Sequence, residues 1–400
     1  MFAKMLQNYL RFWARRYLKR VKPKIIAVTG SAGKTSTKDA IFEVLNVGFG
    51  NKVRKSEGNL NTIYGVSLAI LGYKKPPVPL DQSFSPWPWI PILFTTPFKI
   101  WTNSKTKYLV LEIAADKPGN IEFITTFVKP FISVITNIGQ AHLEIFGSLE
   151  KIIEEKTQLL KVLPEEGLAI LNIDDDILSK ITEEENWKIK TFSLQKKADL
   201  TAKNITTEII DYRPLTKFQI VTEKIKFLAQ TYTLGREANI YPALVATAIG
   251  EALSLQTDLI IKGLKNIKSE RHRMEVFHGK NGCILIDDVY NANPLSVKTA
   301  LNTLKALPTK RKIVVLGDML ELGKISHEAH KLIGEYAHQM ADLVLALGEK
   351  AKDYQADKYF QSKEELISYL LSNIRENDIL LIKASRGMRF EEIVYALRKE

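Results

Sequence analysis

Residues 24–37 read KIIAVTGSAGKTST, and the fold turns on how they are read. Lys24 to Thr29 is a short run rich in β-branched residues, the composition of a buried strand. The run stops at Gly30, and from Thr35 onward TSTKDAIFEVL carries apolar residues at helical spacing. A glycine turn between a strand and a helix N-terminus aims several backbone N–H groups at one point, and the helix dipole adds partial positive charge there. Such a point suits phosphate. Lys34 can reach the terminal phosphates of a nucleoside triphosphate, and the hydroxyl of Thr35 or Ser36 can ligate Mg²⁺. The full G-x-x-x-x-G-K-[ST] pattern is not met, because Val28 stands where its first glycine would be. A chance glycine turn is the competing reading, and the strand before it and the helix after it weigh against that.

Four hundred residues exceed one ordinary core and imply two or three domains. Apolar content and mixed charge are those of a soluble globular protein. The single cysteine, Cys283, excludes an internal disulfide framework and a multi-cysteine zinc site, and fits a reducing cytoplasm. A net charge of +12 suits nucleic acid, anionic lipid or an anionic substrate. No nucleic-acid-binding motif accompanies it, so nucleic acid is not expected as a partner. The chain has no apolar run long enough to span a bilayer and no cleavable signal pattern.

Met1 to Val21 reads as one amphipathic helix in which Leu6, Leu10, Trp13 and Tyr17 recur at helical spacing beside many Arg and Lys. Two readings stand: a helix lying on a membrane surface, or one packed on the globular body. Between Gln82 and Phe98 there is no charge, but prolines at 86, 88, 91 and 97 stand beside Trp87, Trp89, Phe94 and Phe98. Those prolines forbid a regular helix or central strand, and an exposed apolar loop of this size implies a binding surface. With residues 1–21 it would make a peripheral contact with a membrane or a protein partner.

Further on, YLVLEIA, ISVITNI and GLAILN alternate with helical stretches, the sign of a parallel α/β sheet. Residues 185–235 read as an antiparallel β patch, and Leu244 to Leu264 as helix. A basic junction from Lys265 to Arg273 precedes a second alternating series, CILIDD, KIVVLGD, ADLVLALG and DILLIKAS. The division expected is a helix over 1–23, a nucleotide-binding domain over 24–268 with an apolar insert near 72–106, and a second α/β domain over 269–400.

Glu112 closes one predicted strand and His142 follows the next, so both belong on the edge where ligands gather. A carboxylate beside a phosphate loop commonly holds Mg²⁺. His142 also has a purely structural reading. In LEKIIEEKTQLLKVL the apolar stripe puts Lys156 in the middle of the buried face, between Ile152, Ile153 and Leu160. A lysine there must snorkel, pair with a carboxylate, or change its chemistry.

With these residues in hand the chain resembles the Mur ligases, ATP-dependent amide-forming enzymes of peptidoglycan synthesis. The resemblance rests on TGSAGKTSTKD, GNLNTIYGVSLAIL, EIAADKPGNIEFIT, TNIGQAHLEIFGSLEKIIEEK, DDVYNANPLS, VLGDMLELG and KASRGMRFEEIV, in family order from about Ile25 to Leu397. DDVYNANP followed by LGDMLELG points to the branch that adds a dipeptide. The resemblance implies a P-loop ATPase domain with a parallel sheet, a Rossmann-like C-terminal domain, and ATP and Mg²⁺ as cofactors. It implies that ATP phosphorylates a peptide carboxylate and that an amine, here of D-alanyl-D-alanine, attacks the acyl phosphate. Carried over by position, Gly30, Ser31, Ala32, Gly33, Lys34, Thr35 and Ser36 would hold phosphate. Thr35, Glu112, His142 and a carbamylated Lys156 would hold Mg²⁺. Asn239 would face adenine, and Arg273, Asp288 and Asn291 would approach the nucleotide.

Departures accompany the match. Only about 23 residues precede the phosphate-loop strand, where family members carry a uridine-nucleotide domain, so the acceptor stays open. Ala238, Pro242 and His272 stand where the family has His, Asn and Gly. A folylpolyglutamate-synthase-like ligase, another Mur-type ligase and a non-catalytic membrane-associated ATP-binding scaffold remain as alternatives.

Overall fold

The computed structural model describes residues 2–58, 60–78, 86–139, 143–184, 187–235, 237–308 and 311–399. The chain forms two compact units. One takes in residues 1–138, 148–201 and 242–264, and the other residues 139–147, 202–241 and 265–400.

In chain order the first unit contains α1 (Phe2–Val21), β1 (Lys24–Thr29), α2 (Lys34–Phe49), β2 (Val53–Lys55), α3 (Ile63–Leu71), α4 (Ile90–Lys99), β3 (Tyr108–Glu112), α5 (Asn120–Thr125) and β4 (Ile132–Ile135). A short helix, α6 (Leu143–Phe146), belongs to the second unit. The first resumes with α7 (Leu149–Lys161), β5 (Leu168–Asn172), α8 (Asp176–Glu184) and β6 (Ile189–Ser193). β7 (Leu200–Ile210) carries the chain into the second unit, where β8 (Arg213–Thr222) and β9 (Lys226–Thr231) follow. α9 (Glu237–Ala252) and α10 (Thr257–Lys265) lie mostly in the first unit.

The first unit is built on parallel strands in the order β2-β3-β1-β4-β5-β6. β1, β3, β4 and β5 are apolar almost throughout and buried on both faces, as a helix-covered parallel sheet requires. The chain leaves β1 toward β2 on one side and leaves β4 toward β5 on the other. The crevice beyond the carboxyl ends of β1 and β4 is therefore the switch point where ligands gather in such sheets. TFSL belongs to β6, which runs parallel to β5, while β8 and β9 pair antiparallel as expected. Alternation of side chains alone does not distinguish the two pairings.

Two other expectations give way. The helix expected over 244–264 is two helices: Ser254 turns left-handed (φ 59°), and the amides of Ser254 and Leu255 close on the carbonyls of Glu251 and Gly250. The proline-rich segment is not a loop throughout. Its residues 79–85 lie outside the described residues, but Trp87–Trp89 form a 3₁₀ turn that leads into α4. Pro91 sits in the first turn of α4, where no N–H is needed. Pro97 lies near the other end and has no N–H to give the carbonyl of Leu93, which instead accepts from the Tyr9 hydroxyl on α1. Trp89 is fully buried. α1 is a packed helix: Leu6, Leu10, Ala14 and Tyr17 are buried, and Arg20 donates to the carbonyl of Ile100. No helix among the described residues is long and apolar enough to cross a membrane.

The second unit continues with β10 (Glu275–His278), β11 (Ile284–Asp287), α11 (Pro294–Ala306), β12 (Lys312–Gly317), α12 (Ser326–Met340), β13 (Leu343–Leu347), β14 (Lys358–Phe360), α13 (Lys363–Asn373), β15 (Ile379–Lys383) and α14 (Glu391–Leu397). Its sheet runs β10-β11-β15-β12-β13-β14, parallel except for β10. Alternate residues of β12 enter different cores: Val314 and Leu316 pack with Leu301 and Ile333, while Ile313 and Val315 pack with Leu366 and Phe390.

The Tyr9–Leu93 bond gives a direct check on how α4 survives its internal proline. Tyr9→Phe should lower unfolding free energy by about 1–2 kcal/mol in urea titration, the cost of a carbonyl left without its donor. An unchanged midpoint would mean that apolar packing alone holds α4.

Candidate active site

The loop after β1 is held in shape by β4. Gly30 has φ 148°, and a Cβ there would lie 1.9 Å from Thr136 Oγ1, so only glycine allows the approach. Thr136 Oγ1 donates to the carbonyl of Ala32 at 2.6 Å. Gly33, also left-handed (φ 76°), turns the chain into α2. Asn137 Oδ1 accepts from the amides of Ser31 (3.0 Å) and Ala32 (2.8 Å). Those two amides are engaged with the neighbouring strand's loop, and the amides around the first turn of α2 follow them. The Lys34 amine folds back to the carbonyl of Gly30 at 2.7 Å.

Glu112 pairs with Val28 at the same sheet edge. The residue is 2% exposed; Oε1 accepts from Asn61 Nδ2 at 2.9 Å, while Oε2 is buried with no hydrogen-bond partner. The Lys38 amine lies 3.7 Å from it and is itself shared with Asp39. A buried carboxylate oxygen left this way is costly. A carboxylate oxygen of this kind is the hard donor a Mg²⁺ ion takes, so Glu112 fits that ion.

Lys156 is buried at 6% exposure, on the inward face of α7 where the spacing puts it. Burial pushes its amine down to about 7, the charge of Lys34 pushes the same way, and Glu155 and Asp116 only partly oppose them. Glu155 does not stand free to pair with it, since its carboxylate accepts from the amides of Gly119 and Ile121 at the start of α5. His142 lies outside the described residues.

The first unit thus brings together Gly30 to Ser36, Glu112 and Lys156. The other expected residues lie in the second unit. Asn239 begins α9, its amide nitrogen buried with no hydrogen-bond partner. Arg273 lies 3.9 Å from the Tyr290 ring and pairs with Glu270. Asp288 follows β11, where Lys383 at the end of β15 donates to its carboxylate (2.6 Å) and to the carbonyl of Asn291 (2.9 Å). Burial raises the Asp288 carboxyl above its ordinary range, and Lys383 and then Arg273 pull it back. His272 is left-handed (φ 62°), a conformation glycine takes without strain; here its ring bonds Asp287 at 2.7 Å and its amide bonds Glu275.

Residues 91–250 match the model of the Mur ligase middle domain, and residues 272–386 that of the Mur ligase, glutamate ligase domain. The chain is 30% identical over 396 residues to UDP-N-acetylmuramoyl-tripeptide–D-alanyl-D-alanine ligase of Bacillus subtilis, covering 95% of this chain and 77% of that protein. The chain belongs to the Mur ligase family. Among solved structures this Mur ligase is similar to MurF from Thermotoga maritima in complex with ADP, with TM-score 0.80 and 27% identity over 98% of this chain and 83% of that one. It is similar also to MurF from Acinetobacter baumannii, with TM-score 0.80 and 26% identity over 96% and 79% of the two chains.

Sequence reading missed the residues that hold this Mur ligase's candidate ligands in place: Asn137 at the loop, Asn61 and Lys38 at Glu112, and Lys383 at Asp288. Lys383 had a signal, a lysine closing the apolar run ILLIK. Lys383→Met strips a buried carboxylate of its partner and should cost about 3–5 kcal/mol of stability. Adding Asp288→Asn should restore part of that. Chemical denaturation of both variants decides it; equal losses would mean that Lys383 acts only through packing.

Proposed function

We propose that this Mur ligase uses ATP to activate a peptide carboxylate as its acyl phosphate and joins it to an amine. The substrates proposed are those in the relatives' names, a UDP-N-acetylmuramoyl-tripeptide and D-alanyl-D-alanine. In the first step a carboxylate oxygen attacks the γ-phosphorus and ADP leaves. In the second the dipeptide amine attacks the acyl carbon, and phosphate departs with the oxygen the carboxylate supplied.

The observation that carries this reading is Lys156, buried beside the phosphate-loop lysine with its amine held near neutrality. A neutral amine takes up CO₂, releases a proton and becomes a carbamate, an anion where a cation was poorly tolerated. Lys34, with the loop from Gly30 to Ser36 whose shape Asn137 fixes, would hold and orient the terminal phosphates. Thr35 and Glu112, with His142 and the Lys156 carbamate, are the proposed Mg²⁺ ligands. The ion supplies charge neutralisation between ATP and the anionic nucleophile, the main barrier in phosphoryl transfer. By the family resemblance Asn239 is assigned to adenine, and Arg273, Asp288 and Asn291 to nucleotide binding. The compartment proposed is the cytoplasm, with residues 1–21 and 82–101 making a peripheral contact with a membrane or a protein partner.

Lys34→Ala should abolish ADP formation with both substrates present, since removing a phosphate-reaching cation costs about 3 kcal/mol or more at the transition state. ADP production at the parent rate would contradict the assignment. Lys156→Ala should keep the parent's circular dichroism, lose activity by about two orders of magnitude or more, and recover part of it in acetate. Full activity in CO₂-depleted buffer would return Lys156 to a packing role.

A further inference from the structure

The first unit carries an apolar stripe that its own packing does not use. Trp87, Phe94, Phe98 and Trp101 are 76%, 76%, 73% and 65% exposed, spaced seven, four and three residues apart, which puts them along one side of the 3₁₀ turn, α4 and its end. Their neighbours on the opposite side, Trp89, Ile92 and Thr96, are buried. Four bulky side chains left in water along a single line are unusual for a monomer's surface.

α1 supplies the matching charge. While Leu6, Leu10, Ala14 and Tyr17 face inward, the outward face carries Lys4, Arg15, Arg16, Lys19 and Arg20, with Met5 and Phe12 also exposed. No acidic residue occurs in α1 or α4, and the first in the chain is Asp39. The two faces meet: the Arg20 guanidinium lies 3.8 Å from the Trp101 ring and donates to the carbonyl of Ile100. The Tyr9–Leu93 bond ties the helices further along, so basic face and aromatic stripe move as one.

We infer that α1 and α4 together form a docking face for an anionic lipid bilayer. Tryptophan and phenylalanine enter the headgroup boundary, and the arginines and lysines meet lipid phosphates. Charge decides between occupants: a second copy of this chain would bring a surface with the same excess of Arg and Lys against this one. The inference builds on the peripheral contact proposed above and is independent of the ligase chemistry, because its test uses neither ATP nor peptide.

The test is co-sedimentation of the full chain with vesicles of phosphatidylcholine alone and of phosphatidylcholine mixed with phosphatidylglycerol, at low and high salt. Sedimentation with the anionic vesicles at low salt, loss of it at high salt, and a blue shift of tryptophan emission are expected. Phe94→Ser/Phe98→Ser/Trp101→Ser and Arg15→Gln/Arg16→Gln/Lys19→Gln should each weaken partitioning about tenfold or more, with thermal melts close to the parent's. Equal binding to neutral vesicles, no binding at low salt, or full binding by either triple variant would overturn the inference. So would a concentration-dependent dimer that the aromatic triple variant dissolves, which would assign the stripe to a second copy.

Discussion

Parallel pairing of β1 with β3 on one side and β4 on the other brings three loops out at one sheet edge. The first is the glycine turn from Gly30 to Gly33, the second begins at Glu112, and the third starts at Thr136 and Asn137. Because the strands are buried on both faces, their register cannot slip without moving every apolar side chain. The loops inherit that rigidity. Thr136 and Asn137 grip the glycine turn through Ala32 and Ser31, so the phosphate loop's shape is held by the neighbouring strand as well as by its own residues.

Within that frame the site is electrostatically unbalanced. Lys34 and Lys156 are close enough to lower the Lys156 amine, and Glu112 keeps a buried oxygen with no hydrogen-bond donor. Protein interiors seldom leave such groups unless something binds there. A carbamate on Lys156 and a divalent cation at Glu112 would remove both tensions at once. The second unit shows the opposite design, since Lys383 already satisfies Asp288 and the Asn291 carbonyl, fixing that loop in advance.

What sequence could and could not give follows from the range of each interaction. Strand β1, the start of α2 and the burial of Lys156 depend on spacing within a dozen residues, and all three are legible in KIIAVTGSAGKTST and LEKIIEEKTQLLKVL. α4 is not, because its internal proline is tolerated through the bond from Tyr9 to Leu93, eighty-four residues apart in the chain. Asn137 and Lys383 reach their partners across neighbouring strands, and no local pattern announces such pairs. His272 is a case between: a histidine in place of the family's glycine is visible in sequence, but its left-handed backbone and its bond to Asp287 are not.

The central claim is that this chain makes an acyl phosphate from ATP and a peptide carboxylate. Isotope transfer tests it most directly. A UDP-N-acetylmuramoyl-tripeptide labelled with ¹⁸O in its terminal carboxylate is incubated with ATP, Mg²⁺ and D-alanyl-D-alanine, and the released phosphate is analysed by mass spectrometry. The account predicts one carboxylate-derived ¹⁸O in the phosphate and stoichiometric amide product. Phosphate released without label would show ATP hydrolysis by water, and would contradict it.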